Sequence, residues 1–356
     1  MASNTPSGAY YASVQDMQAT LDFNESAYNV AQIKDRLAEA TDLVDGYLHR
    51  NFFPVLETRS FDWPPEGPMI PWRLWLDQGN EIISVTSMTS GGVSIPGSNI
   101  VLQPNWSGPP FNRLEILIGT NSFLTAGSTW QNAIQITGVW GYSNQTISAT
   151  TLAASISTTS ATTLTVSDSS RLGIGNVILV DSEYMVINDR NFTSTSQSLQ
   201  TTLSASAANN TVAVTTGSAY VVGETILLDA EQMLVLAISG NNLIVKRAFN
   251  GSVLAAHIGS TIFASRLLTV TRAALGTTAA THSNGATVNL HWIPPAVKSL
   301  CVAEAGWLFQ GQASAWQTGA TSRAGSAKNS PALNNLIDLR AQAQAIIGRS
   351  GRTRHV

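Results

Sequence analysis

A stretch near the middle of the chain is written twice. Residues 175–185 read GNVILVDSEYM, and 48 positions later 223–233 read GETILLDAEQM. Around this block Thr163, Val166, Gly175, Ile178, Leu179, Asp181, Glu183 and Met185 meet identical residues at Thr211, Val214, Gly223, Ile226, Leu227, Asp229, Glu231 and Met233. A second echo follows at a shorter spacing. Arg247-Ala248, Gly251-Ser252 and Ala255-Ala256-His257 return as Arg272-Ala273, Gly276-Thr277 and Ala280-Thr281-His282. Repeats at a fixed period signal supersecondary units that share a core. An active site is rarely doubled in this way, so the acids and histidines of the repeat are first of all candidates for structure.

The composition fits that reading. Only 12% of the 356 residues are charged, about half the usual share, as expected of a β-rich protein with much surface buried against neighbours. Residues 1–50 hold seven acids and three bases, whereas 294–356 hold seven bases and two acids. Opposite charge at the two chain ends favours head-to-tail contact between copies. A single cysteine, Cys301, excludes an intramolecular disulfide framework and fits a reducing compartment. No basic, apolar leader opens the sequence, and no apolar run reaches the roughly 18 residues of a membrane span. The expectation is a soluble protein made in a cytoplasm.

Val30, Ile33, Leu37, Ala40, Val44 and Tyr47 recur at three- and four-residue steps and predict a helix that runs out before Pro54. Asp35, Glu39 and Asp42 share another face of it, either solvated or lining a pore. Residues 55–142 read as short strands and turns, with six of the nine tryptophans; scattered at strand ends, these are core and interface anchors rather than sugar platforms. Sixteen of the 28 residues in 143–170 are Ser or Thr, which opens the repeated β region. Hairpin turns are expected at 240–242 and at Asn250-Gly251. Helix returns at Pro294-Pro295, in an almost wholly apolar segment, and again from Pro331, with Ser330 as N-cap and Gly348 past the end. The fold class expected is therefore α+β. A helical domain with β-hairpins and short strands, 1–142 and 294–356, is interrupted by an inserted all-β domain, 143–293, made of two repeats.

No residue set reads as catalytic. Asp181/Glu183 and Asp229/Glu231 are i, i+2 pairs that share a strand face. They suit hydrogen bonding to the amides of the repeat turns; ion binding through oxygens and glycoside hydrolysis are the sharper alternatives. His257 and His282 follow equivalent Gly-Ser/Thr turns with no metal-ligand partners at hand, and are expected to be satisfied within those turns. There is no nucleophile elbow, Walker loop or GxGxxG, and neither metal nor cofactor is expected. Cys301 falls among apolar neighbours and reads as an inert core thiol. The basic C-terminal segment, with Lys328, Arg340, Arg349, Arg352 and Arg354, is solvated, docks on an acidic partner, or touches DNA phosphates.

Several segments together resemble the head–tail connector (adaptor) family of long-tailed bacteriophages. They are the early helix ending ATDLVDGYLHRNFFP at 40–54, Thr58-Arg-Ser-Phe-Asp62, Trp75-Leu-Asp77, Ile82-Ile-Ser-Val-Thr86, Val139-Trp-Gly-Tyr142 and the Pro294-Pro295 helix start. The likeness covers roughly 10–142 and 294–348. Family members pass directly from the Trp-Gly strand to the proline-opened helix, so the segment between them is a departure. The resemblance implies a non-enzymatic virion protein at the head–tail interface, a homo-oligomeric ring of about twelve copies between the portal protein and the next neck, stopper or tail protein. Double-stranded genome DNA would pass through its lumen without specific binding, with Asp35, Glu39 and Asp42 facing that lumen and Arg340, Arg349, Arg352 and Arg354 docking on the portal. The competing reading is a receptor- or glycan-binding tail or decoration protein that uses the β insertion. Against it, 143–291 hold no Trp and two Tyr, Tyr184 and Tyr220. A wall-degrading hydrolase would rest on the acid pairs alone.

Overall fold

The computed structural model describes residues 7–21, 29–63, 72–76, 79–317 and 331–348. Four helices lie among them: α1 Val14–Leu21, α2 Val30–Leu48, α3 Pro295–Gln317 and α4 Pro331–Ile347. In α2 the expected stripe is buried at Ile33, Leu37, Ala40, Val44 and Leu48. Asn29 opens the helix with a capping box shared with Gln32, and His49 closes it in the left-handed region. In α3, Val297, Leu300, Cys301, Ala305 and Phe309 are buried, and Leu336, Ala343 and Ile347 of α4 join the same core. Ser330 and the tail arginines Arg349, Arg352 and Arg354 lie outside the described residues, as does Lys328.

The expectation of a helical connector domain trimmed with short strands is overturned: strand makes up 38% of the structure and helix 21%. Residues 55–140 are no trimming. Strands β1 Val55–Phe61, β2 Arg73–Trp75, β3 Ile82–Ser90, β4 Val93–Ile95, β5 Ile100–Gln103, β6 Arg113–Ile116 and β7 Ile134–Trp140 form two antiparallel sheets, ordered β1-β7-β3-β4 and β2-β6-β5. The sheets enclose a core of their own, with Leu74, Ile82, Met88, Leu114, Ile116, Leu124, Ile134, Ile136 and Trp140. The physical reason lies in alternation: β7 buries Ile134, Ile136 and Trp140 on one face, and such faces suffice for a sandwich without any helix. Gly138 is required in mid-strand, because a Cβ there would stand 2.2 Å from the Ser84 carbonyl where β3 bulges past β7.

The other ten strands are β8 Thr146–Thr151, β9 Thr163–Thr165, β10 Val177–Val180, β11 Glu183–Ser198, β12 Thr211–Ala213, β13 Thr225–Leu228, β14 Glu231–Ser239, β15 Asn242–Lys246, β16 Thr261–Ala274 and β17 Thr287–His291. They make one antiparallel sheet, ordered β12-β15-β14-β13-β16-β11-β10-β17-β8, with β9 paired to β16. Two modules of the same plan lie in it. Hairpin β10–β11 in the first matches β13–β14 in the second, β9 matches β12, and the isolated bridge Ile156↔His282 matches Leu203↔His257. The modules are nested, not consecutive. Where the second turns from β14 to β15 through Gly240-Asn241, the first runs out along β11, makes the whole second module, and returns along β16. The long strands serve both: 193–198 and 261–264 pair in the distal module as 146–151 and 287–291 do in the proximal one. Each module curls back on itself, through Ala153 N–H to Thr165 O (2.8 Å) and Ser167 N–H to Thr151 O (2.9 Å) in one and Gln200 N–H to Ala213 O (2.9 Å) in the other. Each then has its own core, around Ile178, Val180, Met185, Leu268 and Val288 or around Ile226, Leu228, Met233, Val245 and Ile262.

The proximal module is built into the helical part. Ile174, Val177, Val186, Ala274 and Leu275 share the core of the helices and of 9–14, and Leu56 N–H bonds the Leu275 carbonyl at 2.9 Å. The chain enters and leaves the ten-stranded sheet side by side, with Trp292 N–H on the Gln145 carbonyl at 2.9 Å.

Candidate functional site

The duplicated acids, histidines and arginines come together as two copies of one cluster. Each begins at a tight β turn, Asp181-Ser182 or Asp229-Ala230, closing pairs Val180↔Glu183 and Leu228↔Glu231. The aspartates hold φ near +51 and +52, a left-handed conformation that Asp tolerates better than most residues. The turn leaves Asp exposed and drives the following Glu into the interior, where the Glu183 and Glu231 side chains have no exposure.

Five donors saturate each glutamate. Glu183 accepts from Arg272 Nε and Nη2 (both 2.7 Å), from the Ala273 and Ala280 amides (both 2.9 Å) and faces His282 Nε2 at 3.0 Å. Glu231 accepts from Arg247 Nε (2.7 Å) and Nη2 (2.8 Å), from the Ala248 and Ala255 amides (2.9 and 3.0 Å) and faces His257 Nε2 at 2.9 Å. The other ring nitrogen of each histidine faces an aspartate oxygen at 2.7 Å: Asp181 for His282, Asp229 for His257. Ionised carboxylates only accept, so each imidazole is held between two acceptors, and at the centre of each cluster the Glu–Arg pair compensates charge against charge, which makes its burial tolerable. Burial alone would raise the glutamates, but the arginine, amide and histidine bonds outweigh it and hold both at about 2.

Such a cluster binds loops. Glu183 ties 272–282 to the β10–β11 turn, and Glu231 ties 247–257 to β13–β14. The expected bonding of the acids to turn amides is seen at both glutamates; the aspartates take the histidine rings instead. No oxygen of Glu183 or Glu231 is left to move a proton or hold an ion. Among the described residues no group of three or more His, Cys, Asp and Glu side chains is arranged to hold a metal. Arg247 and Arg272 stand in the sequence echo, but the echo alone gives them no partner. An arginine repeated at the end of an apolar run, in a chain this poor in charge, is the available signal, since buried arginines are paired. A further buried acid has no duplicate signal at all. Glu224 bonds Arg266 (2.6 and 2.7 Å) and the Ser169 amide (3.2 Å), fastening one module to the other; the proximal module has Asn176 there.

Elsewhere the expectations divide. Asp35, Glu39 and Asp42 are exposed along α2, with Glu39 paired to Arg36. Arg340, expected at a docking surface, binds Glu304 of α3 through two hydrogen bonds (2.5 and 2.7 Å) and lies over the Tyr47 ring; it joins α4 to α3 and α2. Cys301 is buried with Sγ 3.7 Å from Thr41 Oγ1, and burial pushes its thiol up to about 12, which makes it unreactive. Asn250-Gly251 forms part of a 3₁₀ turn rather than a hairpin, held by Asn250 Nδ2 on Gln232 and by Ser252 on Phe249 O. Of the tryptophans, Trp140 is core, whereas Trp106 is 84% exposed and Trp130 half exposed. No described helix is long and apolar enough to cross a membrane. No family model, curated protein or solved structure matches the chain.

Proposed function

We propose that the chain is a non-enzymatic virion protein, a ring-forming head-to-tail adaptor between a portal and tail-side neck proteins, assembled in a bacterial cytoplasm. The proposal rests on the segment likeness over 10–142 and 294–348, and makes no use of a helical fold. One structural observation supports it over an enzymatic reading: the polar residues that the chain takes the trouble to duplicate are spent on each other. What remains on the surface is suited to contact. Val93 at the start of β4, and Trp106, Ile118, Phe123 and Trp130 on the turns and loops of the sandwich, are all large and exposed. The exposed acids of α2 suit a conduit that repels DNA phosphates instead of gripping them.

Negative-stain microscopy and sedimentation of the purified protein test the reading. Rings, or ring formation on portal particles, are the expected result; a monomer that stays apart from portal at every concentration overturns it. A chain lacking 349–356 should bind portal more weakly at low salt, with the difference shrinking as salt rises.

A further inference from the structure

The proximal module is joined to the helices through a shared apolar core, but the two modules meet each other across a polar seam. Among the described residues, the proximal core around Ile178 and Leu268 and the distal core around Ile226 and Ile262 have no side chain in common. The strand between them adds little, since no residue of β11 from 188 to 198 is buried. Glu224, Ser169 and Ser265 close the seam, all three buried. Glu224 accepts from Arg266 Nε (2.6 Å) and Nη2 (2.7 Å), and Arg190 Nη2 donates to Ser169 Oγ (3.1 Å) and Ser265 Oγ (2.7 Å).

This seam replaces a turn. In the distal module the Gly240-Asn241 turn caps the segment before it: the Asn241 carbonyl accepts from Val214 N–H (2.9 Å), and the Asn241 side chain from Gly217 N–H (2.9 Å). The corresponding donors of the proximal module are Val166 and Ser169. Val166 N–H bonds the Arg266 carbonyl (3.0 Å), whereas Ser169 N–H bonds Glu224 Oε1 (3.2 Å). Arg266 stands in the place of Asn241, and its side chain cannot accept. The missing acceptor is supplied by the other module.

The strands that carry the seam are interrupted at the same level. From Asn191↔Leu267 to Thr193↔Ala264, β11 advances two residues and β16 three, so the ladder bulges at Ser265 and Arg266. A second shift follows between Ser194↔Phe263 and Gln197↔Ile262. Bulges disrupt the ladder and bend the strand. On its other side β16 pairs with β13 as far as Ala264 and with β9 from Leu267, and β10 pairs with β11 only up to Val186. At Ser265 and Arg266 the ten-stranded sheet therefore narrows to two strands, and two-stranded ribbons twist more freely than wide sheets.

We infer that the distal module is a hinged arm, pivoting where the sheet narrows at 191–193 and 264–267 and held in one orientation by the Glu224–Arg266 latch. Hinges are a few residues that absorb the change in backbone angle between two rigid bodies, and here each body keeps a core of its own. The latch differs from the duplicated pairs in what opening exposes. Glu183 and Glu231 meet their arginines inside one module, so wetting them means opening a core. Glu224 and Arg266 face each other across the seam, and separating the modules returns both charges to water, where solvation offsets the bonds lost. This inference is independent of the ring proposal.

Cys301 is buried and its thiol is pushed up to about 12, so dyes can be placed on the full-length protein at introduced cysteines alone. Ser160→Cys with Val253→Cys labels an exposed position on each module, and Ala207→Cys with Val253→Cys labels two on the distal module. Single-molecule energy transfer between the modules should give one narrow distribution in the otherwise native chain. Glu224→Gln should add a second population at a different transfer efficiency. Arg266→Met, which breaks the latch from the other side, should do the same, and in both variants the pair within the distal module should read as before. One unaltered distribution in both variants overturns the proposal, because the seam is then a rigid joint without its ion pair. A shift of the pair within the distal module also overturns it, since the module would have melted instead of swung. So does a broad distribution in the native chain, where nothing would be latched.

Discussion

Glu183 and Arg272 stand 89 residues apart and bind each other through two hydrogen bonds, as Glu231 and Arg247 do across 16. The same contact is closed over a long loop in one module and a short one in the other because the distal module occupies the loop of the proximal one. This also accounts for the two spacings of the sequence echo. Residues before the insertion point repeat at 48, those after it at 25, and neither spacing is the period of a tandem array.

Removal of the distal module follows from that geometry. Ser198 and Thr261 are paired neighbours on β11 and β16, so a two-residue turn replacing 199–260 closes an ordinary hairpin. The shortened chain should keep its helical circular dichroism and melt cooperatively, with Arg266 released to solvent. A loss of cooperative melting would show that the modules fold only together.

Breaking one partner of a buried pair leaves the other charge without compensation. Arg272→Met or Arg247→Met should each cost about 3–5 kcal/mol in denaturant unfolding. Glu183→Met combined with Arg272→Met should cost much less than the two single changes added together, since the pair removes both charges. Additive costs would mean that the contact contributes little as a pair.

Ala248 and Ala273, which follow the two arginines, hold φ of +50 and +53, a conformation that costs a residue with a Cβ about 1–2 kcal/mol. Their amides are held there by Glu231 and Glu183. Ala248→Gly and Ala273→Gly should therefore be neutral or should stabilise by up to about 1 kcal/mol, against the usual loss on adding glycine. A clear destabilisation at both sites would contradict the strained backbone.

Acid should unfold the protein in two stages. Burial pushes His291 down to about 4, below its usual 6.5, even though it bonds the Phe52 carbonyl. Its contribution is complete above 6.5 and is lost as pH falls toward about 4. Glu183 and Glu231, held at about 2 rather than 4.5, contribute fully above 4.5 and lose that contribution as pH falls toward about 2, on the order of 3 kcal/mol each. His291→Gln should remove the upper stage from a stability–pH curve and leave the lower one, which Glu231→Gln should diminish.

Much of the local structure was legible because it depends on short-range pattern. The α2 stripe, the α4 start at Pro331 and the Gly240-Asn241 hairpin all follow from spacing and turn chemistry. The doubled acids were visible, and at Glu183 and Glu231 they bond the arginines and loop amides of the same repeat. The balance of the fold was not legible. Whether 55–142 decorates helices or builds its own sandwich depends on which strands face each other, as Leu74 and Leu114 face Ile136 and Trp140, and no local signal encodes that. The nesting was hidden for a similar reason. An echo records likeness between segments but not which Arg reaches which Glu, and Arg272 lies far closer in sequence to Glu231 than to the Glu183 it binds.

The nesting also sets the order in which the protein yields to force. Tension applied at residues 142 and 294 arrives at β8 and β17, neighbouring strands pulled from the same end, and peels them apart one hydrogen-bonded pair at a time. The distal module hangs from the far ends of β11 and β16, and no load reaches it until the proximal module has opened. In a single-molecule pulling record the distal module should therefore be the last to rupture, and the first to be rebuilt when the chain is relaxed.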